Sequence, residues 1–578
     1  MKRNRVRVFA VIILLYFSFG MYKLMDIQLI SPETYGPEKV NLLEESVKQR
    51  SSQITLSNGR GYFLDRNNQA LNRSKTKDVV IFPFVASMKL SPSMEQMLET
   101  TSVNWKDKLV QSKKPLYLSE LGDIQITNDM YDNVQNESIP GIVAVERTVE
   151  NDELLASHVV GIVRANSDEF KSRYEESLEY NEQPVGISGL EKAFDPFLLS
   201  KDEQKLMYHV DAKGDPLLGL DFRYQGESDP FYPVKVQTTL DLDKQTMLEG
   251  IIDKQGITKG GAVLLDVETR EVLAMVSRPS FDPKEPYKDN HLSNQMLISH
   301  FPGSIFKTVI AAAAIEQSED SLHKQYDCDK NLYGDSPSDR TLGMLNFEES
   351  FAQSCNFTFG SIAIDMMKED QAIIEKYAEK LGLVHPVGWK GDIFHYNNFK
   401  QLPEEESGNI WGDDQDRYVD RAIAQTAIGQ KEVKVTPLAI ANMMVTIANN
   451  GVKGEVKIVD KLLYNNGTTM QEFKPHGQVK DSIKASTAKE LQNLLKGVVD
   501  NGTGASLNAF PVSGKSGTAE TGRENQYHHW FAGYFPTDKP KYALVVVDLD
   551  QSSGQAKTYP VYYDSVESLL NHDSFAQN

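Results

Sequence analysis

Three short polar motifs stand in a fixed order in the second half of this 578-residue chain, and they restrict its fold more than any other feature. The motifs are Ser304-Ile305-Phe306-Lys307, Ser354-Cys355-Asn356 and Lys515-Ser516-Gly517-Thr518. Each pattern alone is a weak signal, because S-x-x-K recurs at Ser74 and S-x-N recurs at Ser102. Their order and context together indicate a serine acyl-transfer site. The fold must therefore bring the second and third motifs next to the first.

The first motif predicts a nucleophile and its base on one helix. Pro302-Gly303 ends the preceding segment and an apolar, Ala-rich run follows, which places Ser304 in the first turn of a helix. Residues three apart share a helix face, so Lys307 can take the proton of the Ser304 hydroxyl. Lys307 must then be neutral part of the time, which requires that burial and nearby cations lower its pKa.

The second motif predicts a polar pair beside this nucleophile. Ser354 and Asn356 flank one residue, and in an extended or turn segment their side chains point the same way. Ser354 can relay a proton to a leaving amine. Asn356 can hold Lys307 and the amide of a substrate.

The third motif is typical of an edge strand that binds substrate. Gly517 allows close approach of a substrate backbone, and Lys515 with Ser516 can bind a carboxylate. The backbone N–H groups of Ser304 and Thr518 are the expected oxyanion hole. One such donor contributes roughly 3 kcal/mol in other acyl enzymes.

Charge and residue spacing argue against two classes of function, nucleic-acid binding and metal binding. The chain has 61 Lys and Arg against 81 Asp and Glu, a net charge of −20. It has no basic stretch with interleaved aromatics, so nucleic acid is not an expected partner. His528-His529 is a weak hint of a metal site, but adjacent side chains diverge on a strand and no further ligand has a suitable spacing. We therefore expect no metal.

The basic N-terminal segment predicts a membrane anchor. An uncharged apolar run of 15 residues extends from Val8 to Tyr22, which is shorter than the roughly 20 residues of a spanning helix. Arg7 and Lys23 can snorkel and lengthen the apolar surface. The positive flank predicts a cytoplasmic N-terminus and a single-pass chain with the rest outside. A cleaved signal peptide is the alternative, although no clear cleavage site is present.

The only two cysteines, Cys328 and Cys355, are a possible redox pair. Cys355 is the middle residue of the S-x-N motif, and an exported domain lies where disulfides are permitted. A bridge would tether the segment that carries Ser354 and Asn356, so its oxidation could control activity. Two free thiols are the alternative.

Composition shifts predict three parts in the chain. Residues 1–25 are the cytoplasmic tail and anchor, 26–232 a non-catalytic domain, and 233–578 the catalytic domain, with Gly, Ser, Asp and Pro clustering near 224–233. Two apolar runs, 261–266 and 271–277, predict a hairpin. The stretch 388–416 lacks periodicity and predicts a long surface loop.

Together these features resemble the class B penicillin-binding proteins, the monofunctional D,D-transpeptidases of cell-wall synthesis. Two motifs in the non-catalytic region also match that family. They are R-G-x-x-x-D-R, here Arg60-Gly61 with Asp65-Arg66, and G-x-x-G-x-E, here Gly186, Gly189 and Glu191. The chain departs from the family at Asn68 and Lys431, where glycine is usual.

The resemblance implies an α+β protein. A membrane anchor would be followed by an elongated pedestal domain of the dimerisation type. A penicillin-binding transpeptidase domain would come next, with a central antiparallel sheet flanked by helices. Ser304 would attack the penultimate D-Ala carbonyl of a stem peptide ending in D-Ala-D-Ala, and an amine of a neighbouring stem peptide would resolve the acyl-enzyme. β-Lactams would act as inhibitors, no metal or organic cofactor is implied, and a membrane glycosyltransferase is the implied partner.

Two other interpretations use the same residues. In a D,D-carboxypeptidase or β-lactamase-like hydrolase, water would replace the amine. In a non-catalytic cell-wall scaffold or β-lactam sensor, the fold would serve binding alone. The sequence does not distinguish lysine from diaminopimelate as the acceptor.

Overall fold

A computed structural model gives the fold of most of the chain. It describes residues 2–36, 40–42, 50–99, 104–122, 124–151, 155–174, 184–199, 203–211, 215–217, 222–225, 231–283, 285–476, 482–552 and 556–576. The chain forms two compact units: the first comprises 1–59, 74–150 and 200–228, and the second comprises 60–73, 151–199 and 229–578. Segments 60–73 and 151–199 thus join the catalytic unit, although the sequence had grouped them with the non-catalytic region. Part of the predicted boundary, 226–230, lies outside the described residues.

The N-terminal segment forms one long apolar helix. The α-helix Lys2–Met25 continues into a wider helical turn at Asp26–Ile30, and the apolar stretch within them spans 27 residues. At 1.5 Å per residue it is about 40 Å long, enough to cross a hydrocarbon core of about 30 Å. The helix is longer than the 15-residue run predicted because it begins before Val8 and continues past Lys23.

Two three-stranded sheets and a set of short helices build the first unit. Its strands are Ser51–Ser57, Arg73–Ile81, Leu116–Tyr117, Ile142–Glu150, Gln204–His209 and Arg223–Gln225. Its helices and helical turns are Pro83–Ser87, Pro92–Glu99, Trp105–Ser112, Leu118–Leu121 and Asn128–Glu137. They enclose a separate apolar core that includes Phe82, Leu98 and Leu206.

A buried ionic network organises the part of the second unit that precedes residue 200. The short strands and helices of this part of the chain are Tyr62–Leu64, Ser157–Val160, Val163–Arg164, Ser167–Tyr174, Val185–Gly186, Gly189–Ala193 and Asp195–Leu198. Arg60 donates to Glu191 over 2.6 Å and to Asp195 over 2.7 Å, and Arg73 donates to Glu191 over 3.0 Å. The two family motifs of this region therefore meet through the Arg60–Glu191 ion pair.

A five-stranded antiparallel sheet forms the centre of the second unit. Its spatial order is Val272–Arg278, Gly260–Asp266, Tyr542–Ser552, Gln526–Phe535 and Ser513–Glu520. Strand Gly260–Asp266 is apolar on both faces: Ala262 and Leu264 enter one core while Val263 and Leu265 enter another. A strand buried on both sides reads as a continuous apolar run, and the predicted hairpin of the first two strands is confirmed.

Helices cover both faces of this sheet. The α-helices are Leu242–Gln255, Lys307–Gln317, Glu319–His323, Phe347–Ala352, Asn356–Glu369, Ile373–Lys380, Asp420–Ala427, Pro437–Ala448, Ala485–Asn501 and Thr558–Ala576. Short 3-10 turns are Lys288–Asn290, Gly303–Phe306, Asp414–Tyr418 and Ala505–Leu507. The remaining strands are Lys235–Thr238, Tyr326–Asp327, Met344–Leu345, Lys390–Ile393, Tyr396–Lys400, Val459–Leu463 and Thr469–Glu472.

The stretch 388–416 is structured, so the prediction of a surface loop there is wrong. It contains the hairpin Lys390–Ile393 with Tyr396–Lys400. Trp389 and Ile393 are buried in the main core, and the Trp389 ring packs edge-on against Phe473 at 4.9 Å. These aromatic contacts join residues far apart in sequence, which local periodicity does not reveal.

Candidate active site

Ser304 lies in the tight turn Gly303–Phe306 that leads into the helix Lys307–Gln317. Gly303 has a φ of +54°, and a Cβ there would overlap the carbonyl of Thr518. The N–H of Gly303 donates to the carbonyl of Gly429 over 3.0 Å. Gly303 therefore lets the nucleophile's turn lie against the strand of the third motif, and its hydrogen bond to Gly429 fixes the turn.

Lys307 joins the first motif to the second. Its side chain is fully buried, and Nζ donates to the backbone carbonyl of Ser354 over 2.8 Å and to Oδ1 of Asn356 over 2.7 Å. Nζ also lies 3.1 Å from Oγ of Ser354. The chain thus brings the predicted base into direct contact with Ser354, the predicted proton relay, and with Asn356, which was predicted to hold it.

Burial tunes both lysines of the site. Desolvation lowers the pKa of Lys307 well below its usual range, and the positive charges of Lys515 and Arg340 lower it further. Desolvation, assisted by Arg340, also lowers the pKa of Lys515 to about 7. A lysine with a depressed pKa can act as a general base near neutral pH.

The second motif is a strained turn rather than a strand. Ser354 has a φ of +58°, a conformation that costs a non-glycine residue about 1–3 kcal/mol and is concentrated at functional sites. Asn356 begins the helix Asn356–Glu369. A disulfide joins Cys355 to Cys328, so the two cysteines that the sequence left as either a pair or free thiols are bonded, and the bond fixes the middle of the motif.

The third motif lies on the edge strand of the central sheet, as predicted. Lys515 is buried, and Gly517 is so close to Pro302 that a Cβ would lie 2.6 Å from the Pro302 carbonyl. Ser516 Oγ lies 2.7 Å from Thr503 Oγ1. Thr518 is exposed. The strand therefore offers hydroxyls and a cation beside the Ser304 turn.

Sequence reasoning gave no site role to three residues around this site. Thr503 pairs with Ser516, and the Tyr559 hydroxyl donates to the Thr503 carbonyl over 2.8 Å. Arg340 donates to the backbone carbonyl of Gln353 over 2.9 Å, next to the second motif. Thr503 stands in the Gly-Thr-Gly segment 502–504, which was a usable signal. Arg340 lies in no motif, so only the fold reveals its position.

The histidine pair on the neighbouring strand has a structural environment. Burial lowers the pKa of His528 to about 4, and its Nδ1 accepts the N–H of Asp550 over 3.2 Å. Within the residues that the structure describes, no group of three or more His, Cys, Asp or Glu side chains is placed to hold a metal ion.

Comparisons with known proteins place this geometry in a family. The model of the penicillin-binding protein transpeptidase domain matches residues 260–567, and that of the penicillin-binding protein dimerisation domain matches residues 55–226. Penicillin-binding protein PbpB of Mycolicibacterium smegmatis is 27% identical over 419 residues, which are 67% of this chain and 61% of that protein. Peptidoglycan D,D-transpeptidase PbpA of the same organism is 25% identical over 429 residues, covering 67% of this chain and 80% of the relative.

A solved structure has the same fold along nearly the whole chain. It is described as "Structural coordination of polymerization and crosslinking by a peptidoglycan synthase complex" and aligns with a TM-score of 0.66 at 22% identity, covering 98% of this chain and 97% of its own. The transpeptidase model alone spans more than half of the chain. With the dimerisation model before it, the chain belongs to the penicillin-binding protein transpeptidase family and is a class B penicillin-binding protein.

Proposed function

We propose that this chain is a peptidoglycan D,D-transpeptidase that cross-links stem peptides through an acyl-enzyme on Ser304. The observation that carries the proposal is the buried Lys307, whose amine is held by Ser354 and Asn356 one helical turn from the serine. Such a lysine is suited to activating a hydroxyl. The relative PbpA of M. smegmatis is named for this activity. We propose residues 233–578 as the transpeptidase domain, with 60–73 and 151–199 in the same compact unit.

In acylation, Ser304 Oγ attacks the penultimate D-Ala carbonyl while neutral Lys307 takes the hydroxyl proton. The carbonyl oxygen becomes an oxyanion that accepts hydrogen bonds from the N–H groups of Ser304 and Thr518. The C–N bond then breaks, and the terminal D-Ala amine receives a proton through Ser354 Oγ. Lys515 and Ser516 bind the carboxylate of that terminal residue.

Deacylation runs through the same groups in reverse. The amine of a neighbouring stem peptide attacks the ester carbon and loses a proton toward Lys307. The ester C–O bond breaks, and Ser304 Oγ regains its proton. A β-lactam opens on Ser304 in the same way, but its leaving group stays attached and blocks the incoming amine.

The chain is anchored in the membrane, and we propose that it is single-pass with a cytoplasmic N-terminus and an extracytoplasmic catalytic domain. The basic residues in the first turns of the apolar helix support this orientation. The proposed partner is a membrane glycosyltransferase of the cell-wall machinery. The similar solved chain comes from a peptidoglycan synthase complex that polymerises and cross-links.

Peptide mapping after reaction with a fluorescent penicillin tests this function. The full chain in detergent is labelled over a time course, digested and analysed by mass spectrometry, with Ser304→Ala as the matched control. Stable label on Ser304 that is absent from the variant supports a transpeptidase. Label that forms and clears within minutes indicates a hydrolase. Absence of label from folded wild-type protein indicates the scaffold or sensor alternative.

A further inference from the structure

Arg340 is a cation beside the active site with no carboxylate partner among the residues that the structure describes. It lies in the segment enclosed by the Cys328–Cys355 disulfide, its side chain is exposed, and Nη1 donates to the carbonyl of Gln353 over 2.9 Å. It forms no ion pair with any carboxylate in the part of the chain that the structure describes, its neighbour Asp339 included. The guanidinium therefore retains donors for an anion.

The contacts of Gln353 locate this cation at one end of the cleft. Gln353 Nε2 donates to the carbonyl of Asn501 over 2.9 Å, and the N–H of Thr503 donates to the carbonyl of Ala352 over 3.1 Å. Thr503 in turn touches Ser516. Arg340 thus belongs to the end where the proposed function places the carboxylate of the leaving D-Ala.

The charge of Arg340 reaches both lysines of the site. It lowers the pKa of Lys307 and that of Lys515, so its positive field extends across the cleft. A guanidinium stays protonated at every working pH. Because the pKa of Lys515 is about 7, a guanidinium beside it supplies positive charge where the lysine has lost part of its own.

The leaving and attacking amines occupy the same place, because deacylation is the reverse of acylation. The leaving D-Ala amine is attached to a carbon that bears a carboxylate. An acceptor whose amine has the same neighbour, such as the D-centre of a diaminopimelate side chain, repeats that carboxylate contact. A plain alkylamine, such as the lysine side chain, has no carboxylate to place there.

Building on the proposed function, we propose that Arg340 is a specificity-determining residue that selects acceptor amines bearing an α-carboxylate. In the step it favours, the acceptor nitrogen bonds to the acyl carbon, the ester bond to Ser304 breaks, and the amine proton returns through Lys307 to Ser304. Arg340 takes no proton. It holds the acceptor's carboxylate through charge-assisted hydrogen bonds.

Acceptor competition on the full chain tests this inference. A thioester analogue of an acyl-D-Ala donor acylates the enzyme, and D-alanine or D-alaninamide is supplied at matched free-amine concentration. The two acceptors differ only in the carboxylate. Products are quantified by mass spectrometry for wild type, Arg340→Gln and Arg340→Lys. Arg421→Gln is the charge-matched control, since Arg421 is an exposed arginine stacked on Tyr333.

We expect wild type to prefer D-alanine over D-alaninamide. In Arg340→Gln the ratio of the two products should fall about two- to five-fold, the range of an exposed charge pair. Arg340→Lys should retain most of it, and Arg421→Gln all of it. Equal use of the two acceptors by wild type, hydrolysis without aminolysis, or an unchanged preference in Arg340→Gln would overturn the inference. Failure of wild type to acylate would instead contradict the proposed function. Equal use of the two acceptors by wild type overturns the inference even if a variant does not fold, and only a folded Arg340 variant assigns the preference to Arg340 rather than to Lys515.

Discussion

Nζ of Lys307 donates a hydrogen bond to Oδ1 of Asn356 over 2.7 Å. The amide oxygen orients the Lys307 amine without adding a negative charge, so the pKa of Lys307 stays low. A carboxylate in its place would stabilise the ammonium form. The Asn356 side chain therefore suits a lysine that must lose its proton.

Replacement of Lys307 should remove acylation. Lys307→Ala is expected to slow penicillin acylation by about 10²- to 10⁴-fold, the usual contribution of a general base. Lys307→Arg should be as slow, because a guanidinium does not give up its proton. Acylation rates with a fluorescent penicillin measure both, with Lys368→Arg as a surface control. Wild-type rates in folded Lys307→Arg would show that another group is the base.

Gly429→Ala should damage the turn that carries Ser304. Gly429 has a φ of +70°, and a Cβ there would overlap the Gly303 carbonyl. We expect acylation to fall at least about ten-fold and the protein to lose about 1–3 kcal/mol of stability. Lys431→Gly is the matched control: Lys431 already has a φ of +64°, so glycine fits without strain. Normal acylation in Gly429→Ala would mean that the turn relaxes freely.

The disulfide should protect both thiols and stabilise the protein. Cys328 and Cys355 are buried and separated by 27 positions. Closing such a loop contributes roughly 3.5 kcal/mol in the chain-entropy description. We expect no alkylatable thiol without reductant, and a lower free energy of unfolding in the Cys328→Ser, Cys355→Ser double variant.

The same pair also carries the hypothesis of redox control. Because the bond fixes the residue between Ser354 and Asn356, acylation should differ between oxidised and reduced protein. Rates measured side by side test this. Equal rates in the two states would end the redox hypothesis, and two alkylatable thiols in active protein would exclude the bond itself.

Glu191→Ala should be strongly destabilising. Glu191 is 1% exposed and accepts from Arg60, Arg73 and Asn72. Its removal leaves buried guanidinium groups with less negative charge nearby, at a cost of about 3–5 kcal/mol. Urea unfolding monitored by fluorescence measures this, with exposed Asp365→Ala as a control expected within 0.5 kcal/mol. A loss of less than about 1 kcal/mol of unfolding free energy in Glu191→Ala would contradict the stabilising role proposed for the ionic network.

Local patterns were sufficient for several elements of the fold. The alternation of apolar runs and turns predicted the hairpin of Gly260–Asp266 with Val272–Arg278, and Pro302-Gly303 marked the start of the nucleophile's helix. Two departures from the family pattern also have a local explanation. Asn68 and Lys431 keep the positive φ that glycine would take there, and asparagine tolerates that conformation well.

The features that the sequence did not predict depend on contacts between residues far apart in the chain. Tyr62–Leu64 pairs in parallel with Lys235–Thr238, which draws a segment of the non-catalytic region into the catalytic unit. Trp389 is buried by Phe473, more than eighty positions away. Arg340 belongs to no motif, so its place beside Gln353 depends on how the disulfide-closed segment folds. No local periodicity contains these contacts.

The rate of acylation should have a bell-shaped dependence on pH. Lys307 must be neutral, so the rate rises with pH through its lowered pKa. Lys515 must be protonated to bind a carboxylate, so the rate falls above a pKa of about 7. Asn356→Asp would place a carboxylate beside Nζ of Lys307, raise the pKa of that lysine and move the ascending limb to higher pH. Second-order rate constants for a carboxylate-bearing penicillin between pH 5 and pH 10 would follow both limbs. An unmoved ascending limb in Asn356→Asp would assign that limb to a group other than Lys307.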